Sequence, residues 1–165
     1  MSADTTSSPA PQHWLIVSGI DNFRASKALG FTVQGMKSRH RRKAEKMQVG
    51  DRITYYITGI KAFAATVRIT GPSFESHEPI WKSKDPKRDA EDYPWRVPVE
   101  AETILEEDDF VPAEPLARQM AYVARYPAAN WTLAFQGNVH LLPDADAELV
   151  REAVREAASS PAVGD

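Results

Sequence analysis

GDRITYYITGIKAFAATVRIT, residues 50–70, decides how the rest of the chain is read. Alternation sets Ile53, Tyr55 and Ile57 on one face and Arg52, Thr54, Tyr56 and Thr58 on the other. The second run repeats the period, with Phe63, Ala65, Val67 and Ile69 opposite Ala62, Ala64, Thr66, Arg68 and Thr70. A period of two, rich in β-branched and aromatic residues and broken at Thr58-Gly59-Ile60-Lys61, predicts two antiparallel strands closed by a short turn. By this alternation Tyr55 belongs to the core face, and Tyr56 lines the opposite face as a site candidate.

Immediately upstream stands KSRHRRKAEK, residues 37–46, with six Lys/Arg and one Glu. This local charge of +5 sits on a chain of net charge −3, so everything else carries −8. An acidic body with one concentrated basic stretch has the footprint of a polyanion binder. Lys37, Arg39, Arg41, Arg42 and Lys43 are the candidates for nucleic-acid backbone contact. They cannot all share one helical face, so only some of them are expected to touch phosphate.

The 165 residues predict a single domain large enough for its own core. The absence of cysteine excludes disulfides, thiolate metal sites and cysteine nucleophiles. No secretory signal or membrane-spanning run is apparent, and a cytoplasmic, monomeric protein is the expectation. Residues 1–12 and 158–165 read as disordered tails around one domain at 13–157.

Along the chain, HWLIVS at 13–18 suits a buried strand. Asp21 is positioned to cap a helix from Asn22 to Leu29 that Gly30 ends. FTVQG at 31–35 reads as a loop, and the basic stretch as a helix. The segment from Gly71 to Asp92 is a long polar loop interrupted by Ile80-Trp81, and loops of this length are more often functional than incidental. Tyr93 to Ile104 is a strand, Pro115 to Val123 a helix, and Trp131 to Leu142 one or two strand-like pieces. Asp144 opens an amphipathic helix to about Ala157. Such irregular alternation predicts an α+β domain on an antiparallel or mixed sheet curled towards a barrel. Trp14, Trp95 and Trp131 read as core.

The order of HWLIVS with Asp21-Asn22-Phe23, then FTVQGMKSRHRRKAEKMQVGD and ITYYITGIKAFAATVRIT, resembles the EVE domain family, as do PIW at 79–81, YPWRVPVE at 93–100 and NWTLAFQGNVHLLPDADAELV. This family belongs to the PUA-like superfamily and is close to YTH domains. The resemblance spans roughly residues 13–155. It implies a PUA-like twisted β-barrel with flanking helices, and a reader of DNA or RNA that admits one flipped-out, modified base. By similarity, the base pocket draws on Ser18, Asn22, Phe31, Thr58, Gly59 and Trp81. Phe23 and Phe31 stand where family members often carry tryptophan.

A flipped base needs flat apolar surfaces for stacking and polar groups for its edge. Phe31 and Trp81 offer rings, Asn22 a donor and acceptor, and Ser18 a hydroxyl. The histidines at 13, 40, 77 and 140 form no metal-ligand spacing, and no P-loop, G-x-S-x-G or G-x-G-x-x-G occurs. No cofactor, metal or catalytic residue is expected. Two alternatives remain open from sequence: an enzyme acting on nucleic acid or nucleotide, and a protein binding a small anionic ligand or metabolite.

Overall fold

The computed structural model describes residues 10–83 and 90–159. The outer parts of both predicted tails, residues 1–9 and 160–165, lie outside the described residues. Gln12, assigned to the first tail on sequence, belongs to the fold. Its backbone and side-chain N–H groups donate to the Asp51 carboxylate (2.9 Å each), which also accepts from Trp14 Nε1 at 3.0 Å.

One sheet holds eight strands: β1 (His13–Ser18), β2 (Val33–Met36), β3 (Arg52–Ile57), β4 (Ala62–Ile69), β5 (Phe74–Glu75), β6 (Trp95–Ile104), β7 (Val111–Pro112) and β8 (Val139–Leu142). The main path runs β2-β6-β4-β3-β1-β8, with β5 added to β6 and β7 to β4. β1 and β3 pair parallel and the other pairs are antiparallel. The helices are α1 (Ile20–Ala28), α2 (Arg41–Lys46), α3 (Ala113–Ala117), α4 (Ala121–Ala124) and α5 (Asp144–Ser159).

The predicted hairpin is β3–β4, with one change of pattern. Tyr55 pairs with Ala65 but Tyr56 with Phe63, so Ala64 is an extra residue on β4. Such a bulge reverses which face later side chains occupy. Ala64 and Ala65 therefore both turn into the barrel, and Phe63 joins Tyr56 on the outer face. Inside the curled sheet, Trp14, Ile16, Phe23, Phe31, Tyr55 and Val97 are buried together. On the outer face, Leu15, Tyr56, Phe63 and Phe135 pack with Val150 and Val154 of α5. Each such side chain stabilises the fold by about 1.5–3 kcal/mol.

The sheet's two ends, β2 and β8, are bridged by side chains. Buried Asn138 accepts from the Lys37 N–H (3.1 Å) and donates to the Val17 carbonyl (3.3 Å). Lys43 Nζ reaches the Val139 carbonyl at 2.9 Å. The result is an α+β twisted barrel with flanking helices.

Several local readings are corrected. Residues 33–36 are strand, because pairing with β6 outweighs the turn signal of Gly35. Gly19, and not Asp21, caps α1; Asp21 lies in the first turn, where its charge complements the helix N-terminus. The helix expected at 115–123 is two short ones, and residues 128–135 form 3₁₀ turns before β8. α5 continues through Ser159, past the predicted tail boundary.

Candidate functional site

Where β1 and β3 end beside the β3–β4 turn, the surface opens into a cleft of about 680 Å³, within the usual range for ligand pockets. Two aromatic pairs contribute to its lining. Trp81 follows β5 and Tyr93 precedes β6, with ring centroids 6.2 Å apart. Tyr56 on β3 and Phe135 lie at 4.6 Å. Burial pushes the Tyr56 phenol up to about 12, so it stays a neutral donor at physiological pH. Among the described residues, Lys37, Lys61 and Lys82 also line the cleft, against a single carboxylate at Asp21.

Trp81 is held by a chain of polar groups. Its Nε1–H donates to Ser26 Oγ on α1 (2.9 Å), and Ser26 Oγ lies 3.5 Å from Gln34 Oε1, which accepts from the Tyr55 hydroxyl at 2.6 Å. Gly35 packs so closely on the indole that an added Cβ would fall 2.5 Å from a ring carbon and 2.7 Å from the Tyr93 carbonyl oxygen. The Arg96 guanidinium lies 5.1 Å from the Trp81 ring centroid. Arg96 is 2 % exposed and donates to the backbone carbonyls of Tyr93, Glu78 and Asp92 and to Ser76 Oγ. One buried cation thus gathers the segment around Trp81, with carbonyl dipoles taking the place of water.

Asn22 lines the cleft, but its amide is engaged. Its Oδ1 accepts from the Lys82 N–H (3.0 Å) and its Nδ2 donates to the Lys82 carbonyl (2.8 Å). That two-point clamp makes Asn22 a positioning residue for the Trp81 loop. Ser18 lines the cleft with its hydroxyl donating to the Gly19 carbonyl (2.8 Å), which leaves it an acceptor. Thr58 and Gly59 stand exposed beside it, their turn tied to β1 by the Thr58 N–H to Ser18 carbonyl bond at 3.0 Å.

The cleft therefore gathers Ser18, Asn22, Tyr56, Thr58, Gly59 and Trp81, and excludes Phe31. Phe31 is 2 % exposed and packs in the barrel against Phe23 (5.3 Å) and Tyr55 (5.6 Å). The loop reading misplaced it: the chain at Phe31 takes a left-handed φ of 53° that turns the ring inward before β2. Tyr93, Phe135, Lys61, Lys82 and Arg96 were not foreseen. A Tyr-Pro-Trp sequence opening a strand was the one available signal for Tyr93.

The basic stretch begins at the cleft and leads away from it. Lys37 lines the cleft, with Nζ 5.9 Å from the Tyr93 ring centroid. Arg39 and Arg42 are exposed. Arg41 pairs with Glu45 (3.0 Å) and lies over the Trp95 ring (4.7 Å). This explains Trp95, expected in the core: it is half-buried, and its Nε1 donates to the Ser38 carbonyl. Among the described residues no group of three or more His, Asp or Glu side chains could hold a metal ion. No helix among them is long and apolar enough to cross a membrane.

The sequence profile of the EVE domain matches residues 12–130. The chain belongs to the EVE domain family. This EVE domain is similar in fold to the YTH domain-containing protein mmi1, solved as an RNA complex, with a TM-score of 0.63 and 5 % identity over 89 % of this chain and 83 % of that one. It is similar to human THYN1, solved with 5-methylcytosine-containing DNA, with a TM-score of 0.52 and 15 % identity over 86 % and 96 % of the two chains. A Rhodopseudomonas palustris protein gives a TM-score of 0.56 and 15 % identity over 88 % and 94 %. No curated protein matches the sequence. The likeness establishes the PUA-like fold that the resemblance implied.

Proposed function

We propose that this EVE domain is a nucleic-acid reader that takes one extruded, methylated base into the cleft between the Trp81–Tyr93 and Tyr56–Phe135 pairs. The observation that carries the reading is the meeting of two aromatic pairs and three lysines at one opening. Trp81, Tyr93, Tyr56 and Phe135 are only 2–6 % exposed, so stacking, worth about 1–3 kcal/mol per base, uses the parts of the rings that reach the cleft. Ser18 and backbone groups at the turn face the base edge, and Lys37 and Arg39 contact flanking phosphates. The RNA and methylated-DNA complexes of the fold relatives support the same reading.

A methyl group that leaves water for an apolar wall is worth about 0.8 kcal/mol, or about fourfold in affinity. Binding of a single-stranded DNA or RNA 12-mer with and without one methylated base, followed by fluorescence anisotropy, tests this. The preferred oligonucleotide is expected to bind in the micromolar range with about fourfold selectivity. Ala25→Phe fills the cleft from a half-buried position on α1 and leaves the core intact. It should abolish the selectivity while the melting temperature stays near wild type. Selectivity that survives Ala25→Phe would overturn the proposal.

A further inference from the structure

Gln34 on β2 lines the cleft and is only 4 % exposed. Its Oε1 is bonded to Tyr55 of the barrel core, so the amide stands between the core and the cleft. Three contacts fix which way that amide points. The Tyr55 hydroxyl donates to Oε1 at 2.6 Å. Ser26 Oγ already accepts from the Trp81 indole, so its own hydrogen is available to Oε1, 3.5 Å away. The other terminal atom lies 2.8 Å from the Gly35 carbonyl oxygen, which cannot donate. That atom is therefore Nε2, since the reversed amide would set two oxygens against each other.

An amide nitrogen carries two hydrogens. The Gly35 carbonyl takes one, and it is the sole acceptor that Nε2 has among the described residues. Oε1, by contrast, already faces two hydroxyls. What Gln34 has left to offer the cleft is a donor. When a ligand displaces water there, the second hydrogen needs an acceptor on the ligand, or it is left buried and unpaired.

We infer that Gln34 reads the base: its second Nε2 hydrogen donates to a lone pair on the edge that enters the cleft, a carbonyl oxygen or an unprotonated ring nitrogen. The inference deepens the reading of the cleft proposed above and rests on it. It also narrows the class of base. The leading edge keeps its lone pair, so the methyl group sits elsewhere, on a ring carbon or an exocyclic amine. A base methylated at the leading ring nitrogen has lost that lone pair and is rejected. Gln34 stood outside the sequence candidates because FTVQG reads as a loop, and only the pairing of β2 with β6 makes its side chain interior.

Gln34→Glu in the full chain tests the donor, because it keeps the shape and changes the number of hydrogens. A carboxyl group buried at this position is neutral, and the Gly35 carbonyl takes its single hydrogen. The bond from Tyr55 is kept, so the melting temperature should stay near wild type. Binding of the 12-mer should weaken about fivefold, the loss of one hydrogen bond. The loss should be equal for methylated and unmodified probes, so methyl selectivity survives. With a 12-mer carrying an abasic site in place of the recognised base, wild type and variant should bind alike. Lost selectivity with a lowered melting temperature would indicate a packing role and overturn the assignment, as would unchanged affinity for the probes that carry the base. NMR of the Gln34 side-chain amide reads the same bond in wild type. On addition of the methylated 12-mer, the hydrogen on Gly35 should stay protected from exchange with water and the second should become protected. A second hydrogen that exchanges as fast in the complex as in the free protein would overturn the donor role. Ala25→Phe separates the two failures: it still abolishes selectivity if Gln34 alone is misassigned, and has no effect if the base does not enter the cleft.

Discussion

The β3–β4 hairpin and the described residues between Gly71 and Tyr93 contact the same barrel but are held by different physics. The hairpin is a continuous ladder whose inward side chains, Ile53, Tyr55, Ile57 and Val67, are all but fully buried. The described part of the segment has only the two-residue β5 as regular structure. Its stability comes from a few long-range polar contacts, made by Arg96, Asn22 and His77. The first region is cooperative and fixes shape. The second is a set of discrete tethers that hold Trp81 at the cleft.

Breaking one tether should therefore separate the two regions. Arg96→Met leaves the carbonyls of Glu78, Asp92 and Tyr93 without their donor, at about 1 kcal/mol or more each. The expected outcome is lost order in residues 74–83 and lost methyl selectivity, while hydrogen exchange shows β3–β4 still protected. Ile53→Ala makes the opposite incision. It removes a fully buried side chain and should lower global stability by about 3 kcal/mol in chemical denaturation, with selectivity kept by the folded fraction.

Asn22→Ala releases the Lys82 clamp at the half-buried start of α1. It should cost about 1 kcal/mol of stability yet weaken oligonucleotide binding more than stability. The smallest effect concerns His77, whose ring lies between Asp92 (2.7 Å) and Glu75 (2.9 Å). Hydrogen bonds that its ring N–H groups donate to Glu75 and then Asp92 raise its pKa above the usual value. Stabilisation from the charged ring is thus complete below about pH 6.5 and fades as pH rises through the raised value. Residues 74–83 should be better protected from hydrogen exchange in wild type than in His77→Gln at pH 6, and equally protected at pH 9.

The same contrast explains what could be read from sequence. His13–Ser18, the hairpin and the helix from Asp144 announce themselves through local periodicity, which nearby packing then satisfies. The Ala64 bulge does not, because nothing in Phe63-Ala64-Ala65 marks an extra residue until Tyr56 is placed opposite Phe63. The cleft was half legible. Trp81, Ser18, Thr58 and Gly59 sit at chain breaks where a ring or hydroxyl lacks a packing explanation. Phe31 sits at such a break too, yet a left-handed backbone turns it into the core. Arg96 was hidden for the converse reason: in strand alternation an arginine reads as solvent-facing, and only the segment folded over it makes it interior.

The central claim is that a base enters the cleft, and photo-crosslinking tests it most directly. A 12-mer carrying one 5-iodopyrimidine at the recognised position, irradiated in complex with the full chain and mapped by mass spectrometry, should form adducts at Trp81, Tyr93, Tyr56 or Phe135. Adducts confined to surface rings such as Trp95 or Tyr122, with none in the cleft, would contradict the account.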